Sequence, residues 1–285
     1  MRCFFCSDLH GRTDRYRKLF DAIRRERPDA VFLGGDLLPG GTFMAASGAA
    51  GGDFVNGFLI PGFLRLREDM EGTAPEVFLI LGNDDGRSEE DAVLEGSRKG
   101  YWHYAHGHRV PLDGFTVYGY SYVPPTPFLL KDWERYDVSR FVDPGCVSPG
   151  EGIRTVPVDE REAEWSTMAE DLGHLTGDDD LSRAVILFHA PPYGTSLDRA
   201  ALDGRMVDFA PLDVHIGSIA IERFIRRRRP LVTLHGHVHE AARLTGVWKE
   251  QLGSTWILGA AHDGPELALV RFSPEDPASA TRELL

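Results

Sequence analysis

Five short apolar runs in this chain each lead directly into a side chain that can bind a cation. Residues 2–7 precede Asp8-Leu9-His10, and Ala30–Leu33 precedes Gly34-Gly35-Asp36. Val77–Leu81 precedes Gly82-Asn83-Asp84-Asp85, Ala184–Phe188 precedes His189, and Leu231–Leu234 precedes His235-Gly236-His237-Val238-His239. Apolar runs of this length between turn signals read as buried strands. Between the first two, Asp14–Arg27 places Tyr16, Leu19, Phe20 and Ile23 at helical spacing, with Pro28 just past the end. A strand–helix–strand unit implies a parallel pair with a right-handed crossover. Ligands bind at the carboxyl ends of such strands, and here every carboxyl end carries Asp, Asn or His. Loops ordinarily begin with mixed residue types, so a wholly metal-competent set points to one site.

The remaining segments fit an α/β protein. Val110–Tyr122 alternates like antiparallel strands, and Thr255–Ala260 and Glu266–Phe272 read as further strands. Residues 159–175 form a charged amphipathic helix with Trp165, Met168 and Leu172, and Ile216–Arg229 another. The basic end of the latter, Arg226–Arg229, suits the helix dipole. Gly40–Gly52 is a Gly/Ala-rich loop and Pro124–Gly150 a Pro- and aromatic-rich one. Both are expected to wall the site, because loops on a rigid scaffold set specificity. With 285 residues and no linker to divide them, the expectation is one domain, 1–285, with loop insertions near 40–52 and 124–150.

The chain carries 31 Lys+Arg against 44 Asp+Glu, a formal charge of −13. Such a surface repels phosphate backbones and argues against nucleic-acid binding, although a bound metal can reverse the field locally for a small phosphate ester. Three cysteines, Cys3, Cys6 and Cys146, make no disulfide framework and fit a reducing compartment. Cys3 and Cys6, three apart on a strand, point to opposite faces and do not form a redox pair. With no signal-peptide pattern and no membrane-length apolar stretch, the expected location is cytoplasmic.

The chemistry sits in five motifs. In Asp8-Leu9-His10, extended geometry would turn a carboxylate and an imidazole the same way. Gly35-Asp36 offers a carboxylate able to bridge two cations. Asn83 adds an uncharged carbonyl oxygen. His189 and the alternating His237 and His239 supply imidazoles. This mixture suits divalent transition metals such as Mn, Fe, Zn, Ni or Co.

In their order, Asp8-x-His10, Gly35-Asp36, Gly82-Asn83, His189 and Gly236-His237-x-His239 resemble the calcineurin-like metallophosphoesterases. More narrowly, Ser7-Asp8-Leu9-His10-Gly11-Arg12, His189-Ala190-Pro191-Pro192-Tyr193-Gly194-Thr195 and Gly236-His237-Val238-His239-Glu240 resemble the Icc-related phosphoesterases. The resemblance implies a four-layer α-β-β-α sandwich, two mixed sheets flanked by helices, with two metals at one end. One metal would take Asp8, His10, Asp36 and His239; the second would take Asp36, Asn83, His189 and His237, with Asp36 shared. It further implies a small phosphate mono- or diester as substrate, hydrolysed by attack of a metal-bridging hydroxide.

One position departs from the family. Where many relatives have His after the Asn, this chain has Asp84, the residue in the usual catalytic place. An ionised carboxylate only accepts hydrogen bonds and repels phosphate. The alternative function is therefore a metal-containing binding or regulatory protein of the same fold with little turnover. Arg12 and Arg87 follow ligand motifs; Arg12 is the candidate for substrate phosphate, and a surface ion pair is the plainer role for each. His103, His106 and His108 mimic ligand spacing but show no nearby carboxylate, which favours a structural or surface role. His235 is a candidate to support the ligands, and Tyr193 to line the pocket. His215 and His262 show no partner in the sequence. Phosphate-binding loops, dinucleotide fingerprints and serine-nucleophile elbows are absent.

Overall fold

Alternation along the apolar runs sets the architecture. In strand β1 (Cys3–Cys6) all four residues are buried, Phe4 and Cys6 in one core cluster and Cys3 and Phe5 in another. A strand buried on both faces needs a layer on each side. The computed structural model, described for residues 1–40 and 53–285, supplies these layers. The Gly/Ala-rich loop expected at 40–52 lies, from residue 41 on, outside the described residues.

The other strands are β2 (Ala30–Gly34), β3 (Glu76–Ile80), β4 (His103–Tyr104), β5 (Arg109–Leu112), β6 (Phe115–Tyr120), β7 (Ala184–Phe188), β8 (Met206–Val207), β9 (Ala210–Pro211), β10 (Val232–His235), β11 (Lys249–Leu252), β12 (Thr255–Gly259), β13 (Ala268–Phe272) and β14 (Thr281–Leu284). One sheet runs β14-β13-β1-β2-β3-β4 and the other β11-β12-β10-β7-β6-β5, both six-stranded. In the first, β1 to β4 are parallel, β13 runs antiparallel to β1, and β14 antiparallel to β13. In the second, β6, β7, β10 and β12 are parallel, with antiparallel β5 and β11 at the edges.

The inner cluster joins the sheets: Phe5, Phe32, Phe78 and Ile80 from one meet Val117, Val185, Leu187 and Leu234 from the other. Phe32 and Phe78 stack with ring centroids 5.2 Å apart. The alternate residues face outward. Phe4, Val31 and Leu33 share their cluster with Tyr16, Leu19 and Ile23 of helix α1 (Thr13–Glu26), and Ile186 and Phe188 share it with Ile221, Phe224 and Ile225. The result is the expected α-β-β-α sandwich, with the carboxyl ends of the parallel strands from both sheets gathered at one end. Helices α2 (Ile60–Asp69), continuing a π-helical turn at Val55–Leu59, and α3 (Glu90–Arg98) complete the first side.

The helix expected over 159–175 is instead two, α4 (Glu160–Trp165) and α5 (Met168–Thr176). Thr167 caps the second, its hydroxyl accepting from Glu170 N, so the chain stays extended there and Trp165 is left exposed. α6 (Ile219–Arg228) starts at the Ser218 cap, and α7 (Ala241–Thr245) follows the last histidine motif. Pro124–Gly150 carries no regular strand or helix, yet buries Trp133, Tyr136 and a Lys131–Glu134 ion pair 2.5 Å long. No helix among the described residues is long and apolar enough to cross a membrane.

Candidate metal centre

The turns after β1 and β2 stay paired beyond the strands themselves. Asp8 N donates to Gly35 O (3.0 Å), His10 N to Asp36 O (2.8 Å) and Gly11 N to Leu37 O (2.9 Å). The expected cause of Asp8 and His10 converging, a continued extended strand, is not what brings them together. β1 ends at Cys6, and Asp8 (φ +56°), His10 (φ +47°), Asp36 (φ +50°) and His237 (φ +74°) are all left-handed. Among the described residues nine non-glycine residues have positive φ, and four of them are these. Conformers of this kind cost of order 1–3 kcal/mol each and persist where their surroundings enforce them, often at functional sites.

Asp8, His10, Asp36 and His239 each offer a ligand atom, all within 4.8 Å of one another. His239 Nε2 lies 3.2 Å from Asp8 Oδ1 and 3.2 Å from His10 Nε2. On the other side of Asp36, His189 Nε2 is 3.3 Å from Asp36 Oδ2 and 3.1 Å from Asn83 Oδ1. Since a carbonyl only accepts, the 2.8 Å contact of His189 Nδ1 with Gly34 O keeps a proton on Nδ1 and leaves Nε2 as the nitrogen that faces inward. The rings of His189 and His237 stand 5.2 Å apart, and His237 N donates to Asp8 Oδ1 (3.0 Å). Glycine is required where the loops close in: a Cβ on Gly82 would collide with Asp36 and lie 2.6 Å from His189 Nε2, and one on Gly236 would lie 2.8 Å from Asp8 Oδ2.

The electrostatics call for positive charge here. Burial pushes the Asp8 carboxyl up, but the hydrogen bond and charge of His239, with His189 and His10, outweigh it and hold Asp8 far below the carboxylate range. Burial likewise raises Asp36, and His189 then brings it down to about 2. Burial lowers His10 and His189, yet the carboxylates around them lift each to about 9. His237 goes the other way, to about 3, from burial and the charge of His189. Buried carboxylates facing imidazole nitrogens around one point fit divalent transition metals.

Asp84 and Asp85 have different tasks. Asp84 Oδ2 is 3.2 Å from His10 Nδ1, and Asp84 N donates to Asp36 Oδ1 (2.8 Å). Asp85, fully buried, accepts from the backbone amides of Leu37 (3.1 Å), Leu38 (2.8 Å) and Gly82 (2.8 Å), tying the loop after β2 to the loop after β3. Burial and the charge of Asp36 raise its carboxyl to about 7. Sequence reasoning passed over Asp85, and over Ser7, whose hydroxyl donates to Asp8 Oδ2; an acid beside another acid in a turn carries no signal of its own.

The remaining candidates have partners of their own. Arg12 is exposed and pairs with Asp14 at 3.4 Å. Arg87 pairs with Glu90 at 3.1 Å and lies over the Trp133 ring. His103 does have a carboxylate partner, Glu76 at 2.8 Å, brought by β3, while His106 accepts from Ser121 N (3.0 Å) and His108 is exposed. His235 is buried, held by Ala190 O (2.9 Å) and Thr233 Oγ1 (2.7 Å), with its ring stacked on Phe188. His215 and His262, partnerless in the sequence, pair with Asp198 (2.7 Å) and Glu266 (3.0 Å). Tyr193 donates to Asp213 Oδ2 (2.7 Å).

A fold of two mixed sheets with Asp and His at the strand ends defines a metallophosphoesterase architecture. The chain belongs to the calcineurin-like phosphoesterase family, whose model matches residues 1–241. No curated protein matches the sequence significantly. Among solved structures, TT1561 of Thermus thermophilus is similar at 16% identity and TM-score 0.56, over 99% of this chain and 98% of that one. A fainter likeness, 14% identity and TM-score 0.49 over 95% of this chain and 91% of the other, is to a dimetal phosphatase from Danio rerio. At such identity the likeness to TT1561 establishes the fold alone.

Proposed function

We propose that the chain is a metal-dependent phosphoesterase with places for two divalent cations. Asp8, His10, Asp36 and His239 would hold one, and Asp36, Asn83, His189 and His237 the other. The observation that carries this reading is the placement of Asp36: its Oδ2 faces His189 Nε2 at 3.3 Å and His10 Nε2 at 4.0 Å, so one carboxylate serves both groups. When bound, such cations would polarise a phosphoryl oxygen and supply a nucleophile from water at neutral pH. The protein's own residues hold the donors in place: Gly34 O fixes the His189 tautomer, and Asp85 fixes the two acidic loops. Arg12, exposed just after the His10–Gly11 turn, is the proposed contact for substrate phosphate. Residues 1–285 act as one domain, with Pro124–Gly150 as a wall that selects a small phosphate ester. Three free cysteines suit a cytoplasmic setting.

The test is hydrolysis of chromogenic phosphate mono- and diesters by protein reconstituted with Mn or Ni. The expected result is turnover that a chelator abolishes and added metal restores. A preparation that takes up no transition metal would sink the reading. The contact of Asp84 with His10 favours a second reading, a binding protein of this fold with little turnover, because a carboxylate so engaged has no proton to give a leaving group. A large rate gain on Asp84→His from a near-zero start would support the second reading; turnover by the natural chain rejects it.

A further inference from the structure

We infer that Asp84 is a positioning residue for His10, fixing which ring nitrogen His10 offers to a cation; this rests on the metal-site reading above. A carboxylate accepts and does not donate, so the 3.2 Å contact between Asp84 Oδ2 and His10 Nδ1 places the proton on Nδ1. The other nitrogen, Nε2, then presents its lone pair to the cluster, 3.2 Å from His239 Nε2 and 4.0 Å from Asp36 Oδ2. Carboxylates that hold the far nitrogen of a ligating histidine set its tautomer and orientation and raise its basicity.

Two further observations place Asp84 firmly. Its backbone amide donates to Asp36 Oδ1 at 2.8 Å, so the residue orients one donor through its main chain and another through its side chain. Its carboxylate also packs on Gly40, where any Cβ would overlap Asp84 Oδ2. Glycine at 40 therefore leaves the carboxylate the room to reach His10. Asp84 thus has a task at the metal end of the site. His189 obtains the same service from a backbone carbonyl, Gly34 O. His10, on a turn with its own backbone amide committed to Asp36 O, is served by a side chain.

The experiment compares the full chain with Asp84→Ala, Asp84→Asn and Gly40→Ala, using Mn(II) alone as the probe. Equilibrium dialysis gives the affinity for each equivalent, and nitrogen-15 imidazole spectra give the His10 tautomer. Metal-free and above about pH 9, where the ring has lost its second proton, the natural chain is expected to hold His10 as the Nδ1–H form. Asp84→Ala weakens one equivalent by about 10–100-fold, leaves the other, and mixes the tautomers. Asp84→Asn, whose amide oxygen still accepts from Nδ1–H, recovers most of the affinity. Gly40→Ala, which keeps the acid but crowds it, behaves like Asp84→Ala and carries the test should that variant fail to fold. Equal Mn(II) affinity and an unchanged tautomer in both Asp84→Ala and Gly40→Ala would overturn the inference while leaving the metal site standing. A natural chain that takes up no Mn(II) would overturn both, and so separates the two failures.

Discussion

Asp85 carries more of the local structure than its neighbours' sequence suggests. Replacing it with Ala strands three amide donors, those of Leu37, Leu38 and Gly82, in a buried place. An unsatisfied buried group costs about 1–3 kcal/mol, so urea unfolding of Asp85→Ala should show a loss of at least about 3 kcal/mol; a loss below 1 kcal/mol contradicts the assignment. His106 gives a pH prediction away from the metal donors. Burial, with the charges of Arg87, Arg135 and His108, depresses it from 6.5 to about 3, and the rings of Tyr104, Tyr120, Tyr122 and Trp133 enclose it. Below pH 6.5 the unfolded chain takes up a proton that the folded chain refuses, so its contribution is present above 6.5 and is lost as pH falls toward 3. The slope is at most about 1.4 kcal/mol per pH unit. Stability measured from pH 6.5 to 4 should fall less steeply in His106→Gln than in the natural chain, and parallel curves would refute this. The cluster of Asp8, His10, Asp36 and His239 was legible because metal chemistry restricts residue types, but the left-handed backbone that joins Asp8 to His10 was not. Spacing in sequence reports side-chain period and carries no information on φ.

At the scale of elements, the long loop 124–150 is fastened to α6. Asp137 accepts from Ile219 N (2.7 Å), Ala220 N (3.0 Å) and the Ser218 hydroxyl (2.5 Å), so a loop acid caps a helix some eighty residues further on. Carboxylates at a helix N-terminus satisfy free amides and complement the dipole. Asp137→Ala should therefore lower stability by about 2 kcal/mol or more and open loop 124–150 to limited proteolysis. An unchanged cleavage pattern would show that the loop is held elsewhere. The buried strands were legible because a strand covered on both faces must be apolar throughout, and the carboxyl ends of five such runs carried Asp, Asn or His. The α4–α5 break was not, since Ser166 and Thr167 read equally well inside a polar helix face or as a cap. The β8–β9 hairpin, with Met206 exposed, lacks the alternation that marks a packed strand. Partners such as Asp198 for His215 arise only from folding, which joins segments that no local pattern relates.

For the whole molecule, five strand ends from two sheets meet at Asp36, and the buried carboxylates there require compensating positive charge. A cation bound only by the folded chain stabilises it by RT ln(1 + [L]/Kd), so removing metal should lower the melting temperature and restoring it should reverse the loss. The most direct measurement is metal content after reconstitution, for the natural chain and for Asp36→Ala. A shared carboxylate predicts two equivalents of transition metal in the natural chain and fewer than one in Asp36→Ala. Equal metal content in both, or none in the natural chain, would contradict it.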